Sequence, residues 1–284
     1  MAKIAELSVR VHAAGPPVAE AVRLIPAAQS PAGRAAILIL IHGYNVSVNG
    51  ARNVYKAFVN ALERGAGSAL AIPVYEFMWP GDELNRLQST ASYAGKIDVA
   101  LEAGARLGDY LAALHGPNAG PIDVHVVAHS LGNRVLLAML QRVAQEPLVL
   151  VRSVTMMAAA VPVEQVVFPQ VFFKACLVPD RLVVLHSIAD WILGLVFPAG
   201  ETLHGGVFFP QAVGWLGHPT ANWTAQQAYN TFFHGDYWLK PGPPGQVLDS
   251  LGRAPARQTR ANAVTGRTTV TRAPGEASGN AGIL

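Results

Sequence analysis

Ser130 stands in Ala128-His129-Ser130-Leu131-Gly132-Asn133, with the apolar residues 122–127 before it and a helix-like stretch, 134–145, after it. That context puts a serine on a strand-to-helix corner, a nucleophile elbow, where the backbone is strained and the hydroxyl projects above the sheet. The corner closes only if the residues two before and two after the serine are very small, and Ala128 and Gly132 meet that demand. Alanine replaces the first glycine of the G-x-S-x-G pattern, and its methyl group still fits against the following helix. The chemistry open to such a serine is attack on an acyl carbon to form a covalent acyl intermediate.

A serine hydroxyl is a weak nucleophile near neutral pH. It needs a histidine to take its proton and a carboxylate to hold that histidine in the right tautomer. For an elbow serine the chain order is nucleophile, acid, histidine, with the acid on the loop beyond a later strand. Asp190 follows the apolar run 182–187 by three residues and is the candidate acid, the plain alternative being an aspartate that caps the turn before Trp191. Glu164, after the preceding strand, is the fallback, although it falls on a helical pattern that begins at Pro162. Two histidines compete for the base: His218, beside a proline that restricts its backbone, and His234, which begins a final aromatic segment. His204 follows Asp190 closely inside a glycine-rich insert and ranks third; His42, His125, His129 and His186 flank strands or the elbow and read as structural.

The tetrahedral intermediate also needs backbone N–H donors. Leu131 supplies one at the start of its helix, where unpaired amides and the helix dipole favour negative charge. The second is expected from Tyr44, in the loop His42-Gly43-Tyr44-Asn45 that follows the first buried strand, where Gly43 lets the backbone approach the substrate.

These residues need a frame, and the apolar pattern supplies one. Strand-length runs at 36–41, 72–79, 122–128, 149–157 and 182–187 alternate with helical patterns at 50–64, 96–115, 131–145 and 162–175. The alternation predicts an α/β fold: a mostly parallel sheet flanked by helices on both faces. Residues 3–12 and 20–25 fit an antiparallel edge hairpin. From about Pro241 the pattern gives way to Pro and Gly and then to Arg, Thr, Ala and Ser. The division expected is therefore one domain over 1–249 and a disordered basic tail over 250–284.

The chain has 284 residues, half of them hydrophobic, enough for one sizeable core. Its formal charge of +3 belongs to the tail, where five arginines face Glu276 for a net +4, leaving −1 on the rest. With no basic stripe on the body, nucleic-acid binding has no support. A single cysteine, Cys176, excludes an intrachain disulfide. The N terminus lacks the unbroken apolar core of a signal peptide, so no cleaved leader is expected and the cytoplasm is the default compartment. The most apolar stretches, 148–168 and 182–198, are interrupted by charged residues, and no transmembrane segment is expected. No C-x-x-C, H-E-x-x-H or Walker-type loop calls for a metal or cofactor, and none is expected. Oligomeric state is not legible.

Taken together, Ile39-Leu40-Ile41-His42-Gly43-Tyr44-Asn45, Trp79-Pro80-Gly81, the Ser130 elbow and His234-Gly235-Asp236-Tyr237 resemble the α/β-hydrolase superfamily. Within it they are similar to a bacterial branch of esterase/lipase-like hydrolases of unknown function, with an H-G-Y-N loop, a W-P motif and an A-H-S-x-G-N elbow. The resemblance spans roughly residues 36–240. It implies Ser130 as nucleophile, Asp190 as acid and His234 as base, with Tyr44 and Leu131 as oxyanion donors. The segment 191–219 departs from the family pattern in being more apolar and richer in Gly and Phe. The reaction expected is cofactor-independent hydrolysis of a small-molecule carboxylic ester through an acyl-enzyme. Acyl transfer, thioester or amide cleavage by the same serine, or a hydrolase-fold binding protein without catalysis, are the alternatives. Leu193, Leu195, Val196, Phe197, Val207, Phe208 and Phe209 lie between acid and base. The residues leave open whether they build a pocket or lid for an apolar acyl chain or ordinary core.

Overall fold

The apolar runs make the middle of a single sheet. A computed structural model describes residues 4–12, 14–82, 90–114, 120–205, 207–218 and 223–252. Its strands are β1 (Ile4–Arg10), β2 (Val18–Ile25), β3 (Ala36–Ile41), β4 (Val74–Met78), β5 (Ile122–His129), β6 (Val149–Met157), β7 (Arg181–His186) and β8 (Ala225–Ala228). They lie in the order β2-β1-β4-β3-β5-β6-β7-β8. Every neighbouring pair is parallel except the β1/β2 hairpin. The central strands are buried almost residue by residue, as parallel strands covered on both faces must be.

The cover comes from α1 (Val48–Ala66), α2 (Thr90–Ala113), α3 (Gly132–Val143), α4 (Val163–Val166), α5 (Phe173–Cys176), α6 (Phe197–His204), α7 (Val213–Leu216) and α8 (Pro243–Gly252). Helix α1 starts where the Ser47 hydroxyl accepts the Gly50 N–H and stops at Gly67 in left-handed backbone. Its buried residues Ala51, Tyr55, Phe58, Val59 and Leu62 recur at helical spacing and form one apolar stripe. α1 packs with α8, while α2, α3, α5 and α6 form the other layer. The α2/α3 contact is close: a Cβ at Gly104 would stand 2.2 Å from the Val135 carbonyl oxygen. A mostly parallel sheet with helices on both faces and an elbow at the end of β5 is an α/β-hydrolase fold.

Two expectations need correction. The helix expected over 162–175 is two single turns, α4 and α5, because Pro169 cannot donate to an intrahelical bond and clashes with the turn before it. The Pro-Gly stretch after Pro241 hides the start of α8, whose Pro243 and Pro244 sit in the first turn, where a missing N–H costs nothing. Residues 250–252 of the expected tail are therefore helical; 253–284 lie outside the described residues, as do His115 and Gly206 of the expected helix and insert. No described helix is long and apolar enough to cross a membrane.

Candidate active site

β5 ends at His129 and α3 begins at Gly132, so the chain reverses within two residues. Ser130 sits at the bend with φ +53°, in left-handed backbone that costs a non-glycine residue about 1–3 kcal/mol. Four hydrogen bonds hold it there. Its N–H donates to Met157 O (3.0 Å), and its carbonyl accepts from the Asn133 N–H (3.1 Å), the Asn133 side-chain amide (3.0 Å) and the Ala160 N–H (3.2 Å). The small residues have a steric reason. A Cβ at Gly132 would lie 2.3 Å from His42 O, and one at Gly43 would lie 2.7 Å from Ser130 Cβ.

His234 lies beside that serine. Its Nε2 is 2.8 Å from Ser130 Oγ and its Nδ1 is 2.7 Å from Asp190 Oδ2. A carboxylate only accepts, so Nδ1 carries the proton it donates to Asp190, and the bare Nε2 accepts the Ser130 hydroxyl. Asp190 is fully buried at the end of β7, and its other oxygen accepts the Leu193 N–H (3.2 Å). The two loops are tied together by the Ser187 hydroxyl, which donates to Phe232 O (2.8 Å). His129 adds a further support: its Nε2–H donates to the carbonyl of His234 (2.6 Å), with the two rings 4.9 Å apart. Burial, and secondarily the neighbouring His234, push the His129 pKa down to about 3, so it is a neutral donor at any ordinary pH.

The other candidates are placed elsewhere. The His218 N–H donates to Gln226 Oε1 (3.1 Å), and its ring meets Trp223 edge-on. Glu164 lies on α4 with one carboxylate oxygen buried and without a partner among the described residues. His204, on α6, pairs with Asp98 at 3.3 Å.

At the elbow the Leu131 N–H meets no acceptor among the described residues. The facing loop is fixed from outside: the Asn45 N–H donates to Gly81 O (2.8 Å), and Trp79 Nε1–H donates to His42 O (2.9 Å) while its ring stacks on His42. The Trp79-Pro80-Gly81 motif is thus a brace for the His42-Gly43-Tyr44-Asn45 loop. A cavity of about 370 Å³ opens on Ser130 and His234, bordered on their side by Tyr44, Asn45 and Ala160. Trp191, Ile192, Leu193, Val196 and Phe197, around a π-helical turn at Ile192–Val196, also line it, as does Tyr93 of α2. Of the apolar residues singled out in this insert, Leu193, Val196 and Phe197 line the cavity, whereas Leu195, Val207, Phe208 and Phe209 are exposed.

The sequence named Asn133 only as part of the elbow motif and gave no role to Tyr93, Arg134 or Glu201. Arg134 and Glu201 form a buried ion pair at 2.6 Å beneath the insert, and Arg134 also donates to Ala160 O and Gln165. The one available signal was an arginine immediately after the elbow motif in a helix that is otherwise buried there.

The family model described as a protein of unknown function, DUF726, matches residues 39–207. No curated protein matches the chain. Among solved structures, it is similar to an esterase of Pyrobaculum calidifontis (15% identity, 79% of this chain and 78% of that one, TM-score 0.40). It is similar also to an esterase/lipase from an uncultured bacterium (12%, 81% and 77%, TM-score 0.40) and to carboxyl esterase 2 of Tuber melanosporum (13%, 75% and 75%, TM-score 0.34).

Proposed function

The chain belongs to DUF726, a family of proteins of unknown function, and from the geometry of its own site we propose that it is a serine hydrolase acting on carboxylic esters through an acyl-enzyme. The observation that carries this reading is the hydrogen-bonded row from Ser130 through His234 to Asp190 at 2.8 and 2.7 Å, seated on a strained elbow. In the reaction, Ser130 Oγ attacks the ester carbonyl carbon as its proton passes to His234 Nε2. Asp190 stabilises the imidazolium, and the developing oxyanion takes the Leu131 N–H and the Tyr44 N–H. Collapse breaks the bond to the alkoxy group, which leaves with the proton from His234. Water then attacks the acyl-enzyme with His234 as base, releasing the acid and restoring Ser130. Every proton is carried by His234.

Labelling with a fluorophosphonate probe tests this, on variants first checked for folding. Wild type is expected to label, Ser130→Ala not at all, His234→Ala at least about a hundredfold more slowly, and His218→Ala at the wild-type rate. Folded wild type that never labels would leave a binding protein with an idle site; labelling that depends on His218 would displace His234 as base.

A further inference from the structure

Tyr93 is a cavity residue held on several sides. Its ring is 7% exposed and meets Tyr44 edge-on at 5.7 Å and Phe197 edge-on at 6.4 Å. Behind it a Cβ at Gly200 would stand 2.4 Å from the ring, so α6 is pressed against it with no spare volume. The phenol donates to Glu201 Oε1 (3.2 Å), the same oxygen that accepts from Arg134 at 2.6 Å. Both members of that pair are almost fully buried. Beyond the ring, then, stands desolvated charge. An aliphatic chain driven past Tyr93 would break the aromatic packing and strand polar groups that have no water to replace their partners.

From this arrangement we infer that Tyr93 limits the length of the acyl group, so that the site takes short to medium acyl chains and rejects long ones. The inference rests on the ester-hydrolase reading above. The cavity, about 370 Å³, is at the small end of the roughly 300–1,000 Å³ range of ligand sites. Its walls suit an alkyl chain: Ile192, Leu193, Val196 and Phe197 present no charge. Tyr93 touches the acyl chain and not the reacting atoms, so it is a specificity residue, and the packing of Tyr44, Phe197 and Gly200 against its ring holds it in place.

The test measures kcat/KM for acetyl, butyryl, octanoyl and dodecanoyl p-nitrophenyl esters, with fluorophosphonate labelling of Ser130 in parallel. Wild type should prefer butyryl over dodecanoyl by at least about tenfold. Tyr93→Ala should raise the dodecanoyl-to-butyryl ratio about tenfold while still labelling. Tyr93→Phe, which keeps the ring, should keep the wild-type ratio. If Tyr93→Ala does not fold, Tyr93→Leu carries the same expectation at smaller size. A labelling Tyr93→Ala or Tyr93→Leu enzyme with the wild-type ratio, or a wild type indifferent to chain length, overturns the inference and leaves the hydrolase reading intact. Wild type that neither labels nor cleaves any ester overturns both.

Discussion

At the scale of single residues, the orientation of His234 depends on Asp190. Its carboxylate is fully buried, spends one oxygen on the Leu193 N–H and offers the other to His234 Nδ1. In Asp190→Asn an amide N–H facing Nδ1 would favour the opposite tautomer, with the proton on Nε2, and that nitrogen could no longer accept from Ser130. Labelling and ester cleavage should fall about a thousandfold or more with little change in thermal stability. A variant that keeps near-wild-type rates would show that Asp190 only caps the turn before Trp191. The elbow geometry at Ser130 was legible in the sequence because everything such a corner needs is local: small residues at two positions, a strand before and a helix after. The histidine could not be chosen the same way. His218 and His234 both lie in loop sequence, and what separates them is the bond from Ser187 to Phe232 and the bond from His129 to His234 O, both linking residues distant in the chain.

At the scale of elements, the insert between β7 and β8 is anchored by charge. Arg134 on α3 and Glu201 on α6 meet at 2.6 Å with 2% and 1% of their side chains exposed, and Arg134 reaches Ala160 and Gln165 as well. Removing one partner leaves the other charge buried and unpaired. Arg134→Met should therefore cost about 3–5 kcal/mol in urea unfolding, and adding Glu201→Gln should recover most of that loss. Equal losses from the single and double changes would mean that packing, not charge, holds the insert. Beyond the arginine that follows the elbow motif in a buried helix, none of this could be foreseen, because a charge pair between elements leaves no periodic trace. Strands β3, β5 and β6 were legible since buried parallel strands are continuous apolar runs. β8 was not: its Ala-Gln-Gln-Ala is short, and three of its four residues are exposed. The segment 162–175 misled because its apolar spacing is helical on either side of a proline that no helix accommodates.

The whole molecule folds around titratable groups that cannot all keep their preferred charge. His42, His125 and His129 are buried, and desolvation is the chief cause that lowers their pKa to about 4, 4 and 3. The folded chain thus refuses protons that the unfolded chain accepts near pH 6.5. Their contribution is fully present above that pH and is lost as pH falls toward 4 and then 3. Glu76, on β4 beside a separate cavity of about 260 Å³, behaves in the opposite sense. Burial first, then the nearby Glu6, raise its pKa to about 7, against a smaller lowering by Arg52. A carboxyl held protonated by the fold stabilises below its unfolded value of 4.5, and that stabilisation disappears as pH rises through about 7. Three histidines oppose one glutamate over much of the same range, so stability should fall steeply on the acid side of about pH 6.5 and only modestly on the alkaline side. Glu76→Gln isolates the smaller effect, since glutamine has the shape of the protonated acid and cannot ionise. Measured by urea midpoint, the variant should gain on the order of 2–3 kcal/mol over wild type at about pH 8 and almost nothing at about pH 4. A gain of the same size at both would mean that Glu76 ionises in the fold as easily as in water, and that the alkaline slope has another source.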